Sequence, residues 1–237
     1  MSVYIENLYF NYFNTNVLSN INMKVLPEDF IILVGENGAG KSTLLRLIGG
    51  KHIAYNYTTF SVLGSNQPTD QFNGLVYLGN SWKRVISFAG ETDYTIDRPV
   101  YKMMESWQQE HIERRDELVN VLEINLNWNM NEISDGQKKR VRIMLGLLKP
   151  FKLLLLDEFT NNLDIVIRHK FFKYLKKECL ERKCSVIYAT HIYDIIGDFS
   201  THVLFMSNGI LYNKTPIDLF INNNNNNNNT KKSVFFV

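Results

Sequence analysis

Proline and cysteine are scarce in this chain, at 5 and 2 of its 237 residues. No apolar run approaches the roughly 18 residues that a membrane-crossing helix needs. Charge of one sign is lacking as well, since 26 Lys and Arg stand against 24 Asp and Glu, a formal net charge of +2. Each shortage excludes something. Cys179 and Cys184 lie in a Lys/Glu-rich stretch without the paired spacing of a zinc site or a disulfide framework, so they read as structural thiols of a reducing compartment. The balanced charge gives no argument for nucleic acid or a membrane surface as a direct partner. The first ten residues, MSVYIENLYF, carry neither the basic nor the apolar region of a signal peptide. The expectation is a cytoplasmic protein, with the nucleus as the other compartment, without membrane insertion and with no permease of its own.

What the chain does have is enough apolar material for one full-sized core, 45% of residues, which suits a single α/β domain. Val3 to Phe10 and Leu18 to Val25 predict two strands joined by an Asn-rich turn, an antiparallel hairpin. FIILV (30–34), LLLL (153–156) and SVIYA (185–189) are short continuous apolar runs, as in parallel strands covered on both faces. Helices are predicted from Thr43 to Ile48, stopped by Gly49 and Gly50, and from Ile165 to Glu181. Val100 to Leu122 is charged with a thin apolar stripe and reads as part of a mostly helical insert, at about 84–133. Asn208 and Gly209 between two apolar runs signal a further hairpin. The main domain is expected over 1–220, and the Asn-rich 221–237 is expected to be a disordered tail.

Three segments carry chemistry. GENGAGKS follows an apolar strand and precedes TLLRLI, the order of a phosphate-binding loop. Its residues Gly35, Glu36, Asn37, Gly38, Ala39, Gly40, Lys41, Ser42 and the following Thr43 are expected to bind nucleotide. Backbone N–H groups would wrap the phosphates, Lys41 would reach the β- and γ-phosphates, and the Ser42 hydroxyl would ligate Mg²⁺. The bland alternative is a glycine-rich turn with a solvated lysine. Four leucines then place Asp157 and Glu158 at the C-terminal end of a buried strand, where ligands of parallel sheets bind. Asp157 would hold Mg²⁺, and Glu158 would act as general base on the attacking water. In ISDGQ (133–137), Ser134 and Gln137 form a capping box opening a helix expected from Lys138 to Leu148, and a capped helix start is itself an anion site.

At ISDGQ the chain resembles the ATP-binding-cassette (ABC) ATPases, whose signature LSGGQ stands here as ISDGQ, and the resemblance runs from about Tyr4 to Phe220. It implies a P-loop NTPase fold, an ABC nucleotide-binding domain with an N-terminal antiparallel β subdomain and an inserted helical subdomain. It further implies that Ser134, Asp135, Gly136 and Gln137 serve a site in trans, with Ser134 and Gly136 contacting the γ-phosphate of an ATP on the opposing domain. A second ABC domain is therefore the expected partner, a copy of this chain first. By the same resemblance Tyr12 stacks on adenine, with Tyr9, Phe10 and Phe13 as neighbouring alternatives, and His191 hydrogen-bonds the γ-phosphate and positions Glu158. Asn161, Asn162, Leu163 and Asp164 resemble the loop that communicates across the dimer. The family's usual glutamine near the metal is replaced in VYLGNSWKR, where Asn80 is the nearest match. Lys138, Lys139 and Arg140 are expected to be a solvated helix face. His52, His111, His169 and His202 are expected to have no role in the chemistry.

YLGNSWKR, SDGQKKRV, LLKPFKLLLLDE and RKCSVIYATHIYD together look like a small soluble ABC family. It includes a fungal ATPase associated with the carbon-catabolite-repression–Not transcription complex, and plant soluble ABC proteins. That resemblance implies an ATPase acting as a regulatory or adaptor subunit linked to transcription. The alternative is the ATP-binding subunit of a membrane transporter with a separately encoded permease. The stretch between Asn80 and Ser134 is too short for the coiled-coil arm of a chromosome-structure ATPase.

Overall fold

The computed structural model describes residues 1–66, 74–79, 99–104, 110–160, 163–191, 196–212 and 214–219. Asn80, Asn161, Asn162, the segment 84–98 and the Asn-rich tail 221–237 lie outside the described residues.

The expected hairpin forms from β1 (Val3–Tyr12) and β2 (Thr15–Val25), paired antiparallel from Val3 opposite Val25 to Tyr12 opposite Thr15. Ile5, Leu8 and Phe10 face inward against Leu18, Ile21 and Met23. Register shifts between these pairs let the hairpin bend over the core. β4 (Thr59–Val62) joins the other side of β1, giving a three-stranded sheet of order β2-β1-β4.

The main sheet is built on continuous apolar runs. β3 (Phe30–Val34), β5 (Leu75–Gly79), β6 (Leu153–Asp157), β7 (Ser185–Thr190) and β8 (His202–Ser207) are joined by the short β9 (Ile210–Leu211) and β10 (Thr215–Pro216). The order is β10-β8-β3-β7-β6-β5, with β9 beside β8. β8, β3, β7, β6 and β5 run parallel, and β9 and β10 pair antiparallel with β8. Parallel strands of this kind are buried on both faces, which is why they read as unbroken Leu/Ile/Val stretches. β3 divides its side chains between two cores. Phe30, Ile32 and Val34 join the core formed with α3 (Ile112–Leu122), α4 (Asp135–Leu147) and α5 (Ile165–Arg182). Ile31 and Leu33 join the core formed with the hairpin sheet and α1 (Lys41–Ile48).

Most boundaries follow the expected signals. α1 stops at Gly49 and Gly50, and α5 starts on the Asp164 side chain, which accepts from the Ile167 N–H at 2.9 Å. α4 begins at Asp135, three residues before the expected Lys138, because Ser134 caps it and residues 135–137 already form its first turn. The span 100–122 is not one helix. α2 (Val100–Met103) is a single turn and α3 starts afresh at Ile112. A last single turn, α6 (Ile196–Phe199), precedes β8. At the β8–β9 turn Asn208 and Gly209 have φ of 49° and 74°, the pair of left-handed residues that a two-residue hairpin requires. That turn reaches the phosphate loop, for the Gly209 N–H donates to Ala39 O at 3.0 Å.

The helical insert is fastened to the sheet domain by a buried cation. Arg114 of α3 donates from Nε to Leu147 O of α4 at 2.7 Å and from Nη1 to Glu178 Oε2 of α5 at 2.5 Å. Its guanidinium lies over the rings of Phe151 and Tyr174, 5.7 and 5.8 Å from their centroids. Arg182 takes the other Glu178 oxygen at 3.0 Å, so the carboxylate is held from two sides. Removing Arg114 leaves the buried Glu178 carboxylate with only the half-exposed Arg182 against it. Arg114→Met is expected to lower stability by about 3 kcal/mol in urea unfolding. Adding Glu178→Gln, which removes the stranded charge, should recover part of that loss; a double mutant less stable than Arg114→Met would contradict this account.

Candidate functional site

Parallel register brings the chemistry to one edge. Val34 at the end of β3 pairs with Thr190 of β7, Asp157 of β6 with Ala189 of β7, and Gly79 of β5 with Asp157. The residues that follow these positions therefore emerge side by side. They are the phosphate loop after β3, Glu158 after β6 and His191 after β7. Asn80, next after Gly79, lies outside the described residues.

The loop from Gly35 to Gly40 turns tightly enough that its glycines are required. An ideal Cβ on Gly35 would stand 2.1 Å from Met206 O of β8, a backbone atom that cannot yield. Gly40 has φ of 105° and caps α1 without a side chain, so the first N–H groups of α1 have no side-chain cap. Lys41 is buried and folds back over the loop, donating from Nζ to Gly35 O at 2.7 Å and Glu36 O at 2.9 Å. Burial pulls its ammonium below the usual lysine range, opposed by the nearby Glu158 and Asp157 carboxylates.

The two strand-end carboxylates sit in different surroundings. Asp157 is buried, accepting from Ser42 Oγ on Oδ1 at 2.7 Å and from the Tyr77 hydroxyl on Oδ2 at 2.9 Å. The paired hydroxyl and carboxylate are hard oxygen donors, a set that fits Mg²⁺. Glu158 is partly open, with φ of 52°, a left-handed conformation that costs energy for a residue with a side chain. Its N–H donates to Ala189 O at 3.0 Å, which holds the turn. Its Oε1 lies 2.9 Å from His191 Nδ1 and 3.9 Å from Lys41 Nζ. The acidic group thus stands between an imidazole and an ammonium.

The expected signature residues lie apart from this cluster in their bonding. Ser134 accepts from the Gln137 N–H at 3.3 Å and its own N–H donates to Gln137 Oε1 at 2.9 Å, a complete capping box. Ser134 and Asp135 are exposed, and Asp135 pairs only loosely with Lys138 at 3.9 Å. The neighbouring basic residues depart from the expected solvated face. Lys139 is buried with Nζ 4.9 Å from the centre of the Phe159 ring, because α4 lies against the segment that follows Glu158. Arg140 donates to Asp164 Oδ2 at 3.2 Å, tying the signature helix to the start of α5.

At the end of β1, Tyr12 is half-buried, its hydroxyl 2.8 Å from His52 Nε2 and its ring edge-on to Phe10 at 5.0 Å. Of its alternatives, Phe10 belongs to the core, Phe13 is fully exposed and Tyr9 is 39% exposed. His52 therefore has a partner beside the site. Burial foremost, then Arg46, lowers its affinity for a proton, so it favours the neutral ring. The other histidines stay away from the site: His169 packs on Phe199 and His202 lies 3.4 Å from Asp29.

Tyr77 was not singled out by sequence reasoning. A tyrosine in a buried strand needs a partner for its hydroxyl, and that is the signal Tyr77 offers within VYLGNSWKR. Its partner, Asp157, lies on the neighbouring strand. Burial first, and the carboxylate second, push the phenol well above the usual tyrosine range, which keeps it a donor at neutral pH.

Comparison with known proteins shows the family of the chain. The family model described as ABC transporter matches residues 18–161. ABC transporter I family member 20 of Arabidopsis thaliana is 41% identical over 207 residues, covering 85% of this chain and 63% of its own length. The chain therefore spans less than two thirds of that relative. CCR4-associated factor 16 of Saccharomyces cerevisiae is 37% identical over 206 residues, covering 80% of this chain and 69% of its own length. A solved dimeric ATP-binding cassette, in a post-hydrolysis state with ADP and Pi, has a TM-score of 0.70 at 19% identity over 91% of this chain and 98% of that chain. At that identity the likeness concerns the fold. The matched residues span the phosphate loop, the capped ISDGQ helix and both strand-end carboxylates, and the chain belongs to the ABC transporter family of ATP-binding domains.

Proposed function

We propose that this protein is a soluble ABC-type ATPase that binds and hydrolyses Mg-ATP in a site completed by a second ABC domain, a copy of itself. The observation that carries the reading is the position of Glu158, 2.9 Å from His191 and 3.9 Å from Lys41, beside the Ser42–Asp157 pair. In this reading the loop amides and the start of α1 receive the phosphates of ATP. Lys41 exchanges its carbonyl partners, Gly35 and Glu36, for the β- and γ-phosphates. Ser42 and Asp157 hold Mg²⁺, with the Asn80 amide as a further oxygen donor. Magnesium, when bound, neutralises charge on the transferred phosphoryl group. Glu158 takes a proton from the attacking water, and His191 fixes the carboxylate that does so.

The exposed Ser134 and Asp135, with the partly buried Gly136 and Gln137, supply the other half of the site. A two-fold pairing would set each capped α4 N-terminus over the partner's phosphate loop. The pair Arg140–Asp164 links that helix to the segment following Glu158, a route by which one site would sense the other.

For the biological role, the relative named CCR4-associated factor 16 supports a regulatory or adaptor subunit of a transcription-linked complex. The relative named as an ABC transporter supports a second reading, an ATP-binding subunit serving a separately encoded permease. Purification of the native complex separates them: transcription-regulatory subunits in the eluate support the first, and an integral membrane protein supports the second.

Glu158→Gln is expected to keep ATP affinity and lose turnover, so that the trapped ATP holds two copies together. In sedimentation the variant should be a monomer alone and a dimer with ATP and Mg²⁺. Adding Ser134→Arg should abolish the dimer while each monomer still binds ATP. A monomer at high concentration with ATP bound rules out the homodimer, and a double mutant that dimerises leaves ISDGQ as a helix cap only. Tyr12→Ala is expected to weaken ATP binding by about 1–3 kcal/mol if the ring stacks on adenine. Equal binding by Tyr12→Ala and a loss on Tyr9→Ala or Phe13→Ala would transfer the role to that neighbour.

A further inference from the structure

A line of polar side chains connects the adenine side of the site with its metal side. Arg46, in the last turn of α1, stands beside the hydroxyls of Tyr12 and Tyr77, which hold its guanidinium in the charged form against the effect of burial. The Tyr77 hydroxyl donates to Asp157 Oδ2 at 2.9 Å, and Asp157 Oδ1 accepts from Ser42 at 2.7 Å. At the other end, the Tyr12 hydroxyl meets His52 Nε2 at 2.8 Å. The line has a direction. Since the phenol spends its only proton on Asp157, it can only accept from the neighbouring guanidinium, and a cation beside its oxygen makes it a stronger donor onward.

Local packing fixes the phenol in place. Tyr77 is buried, and β5 carries glycine two residues on, on the same face of the strand. An ideal Cβ at Gly79 would stand 2.7 Å from the Tyr77 hydroxyl oxygen, so the ring occupies the space that a side chain there would need. With Oδ2 of Asp157 held in this way, the carboxylate cannot rotate freely about its last bond. Its Oδ1 stays beside Ser42 Oγ.

We propose that Tyr77 and Arg46 are positioning residues for the metal carboxylate: Tyr77 clamps one oxygen of Asp157 so that the other is presented with Ser42, and Arg46 orients the clamp. The proposal rests on Asp157 and Ser42 being the magnesium donors. It assigns to this chain an outer layer around the metal that lies beneath α1 and is supplied by β5. A hydroxyl that serves packing alone would be dispensable, since phenylalanine fills the same space.

The test reads metal binding directly. Full-length protein is loaded with a non-hydrolysable ATP analogue, and Mn²⁺ binding is measured by electron paramagnetic resonance, with analogue affinity measured separately in EDTA. Tyr77→Phe is expected to weaken Mn²⁺ binding roughly tenfold, as loss of an outer-layer partner does, with analogue affinity in EDTA within about twofold of wild type. Arg46→Met should shift Mn²⁺ binding in the same direction and add little to Tyr77→Phe in the double mutant. Wild-type Mn²⁺ affinity in Tyr77→Phe, alongside a loss in Asp157→Asn, overturns the clamp and leaves the metal assignment standing. Wild-type affinity in Asp157→Asn overturns the metal assignment and the clamp with it. An equal loss of analogue affinity in EDTA in Tyr77→Phe also overturns it, because the hydroxyl would then serve the fold or the nucleotide rather than the metal.

Discussion

The parallel register of four neighbouring strands is the constraint on which the rest of the structure depends. Hydrogen bonding between β3, β7, β6 and β5 fixes Val34, Thr190, Asp157 and Gly79 along one edge, at the residues where the strands end. No loop contact is needed to gather the phosphate loop, the carboxylates and His191, because the ladder has already done so. The register also explains why small errors of placement would be costly here. Side chains alternate along a strand, so a slip of one residue in β6 would turn Asp157 from Ser42 into the opposite core. Leu153 to Leu156, buried on both faces, would stay buried after such a slip, so its cost falls on Asp157, which would lose Ser42 and Tyr77.

Much of this was legible in the sequence for a physical reason: unbroken apolar runs, glycine-rich turns and capping residues are local signals with local causes. The hairpin, the strands β3, β6 and β7, the phosphate loop, the capping box and the Asn208–Gly209 turn all belong to this kind. What escaped was set by tertiary contact. Lys139 reads as solvated because it stands between Lys138 and Arg140, yet α4 packs that position onto Phe159. Tyr77 reads as one more apolar residue until β5 is laid beside β6. Arg114 reads as one charge among several in a polar helix, and only the meeting of three helices makes it a joint. The mostly helical character of 100–122 was legible, but its division into α2 and α3 was not specified, because the charged spacing suits helix throughout and holds no strong stop signal.

The site stores its tension at Glu158. A left-handed backbone at a residue with a side chain is held by the Glu158 N–H bond to Ala189 O and by the strand entering from behind. The consequence is geometric. The chain turns sharply at the end of β6, so successive carboxylates point to different places: Asp157 inward to Ser42 and Tyr77, Glu158 outward to His191 and Lys41. Two adjacent acids can take different proposed roles because that turn separates them.

Electrostatics then bears on why one chain would be an incomplete catalyst. Inside the chain, Lys41 is satisfied by loop carbonyls and pulled toward Glu158, so the loop is closed on itself. In the proposed site, phosphate oxygens would compete for that ammonium and for the uncapped first N–H groups of α1, which together would favour the β- and γ-phosphates. The outer side of a γ-phosphate seated there would face away from the strand edge. The exposed capping box at Ser134 offers a second helix N-terminus with the same preference for negative charge, and its own bonds run to Gln137 rather than to the loop. In the proposed pairing the second positive helix end at that phosphate is the partner's α4. In the proposed dimer the nucleotide is then an adhesive as well as a substrate, since release of the cleaved phosphate removes the charge that draws the opposing helix in.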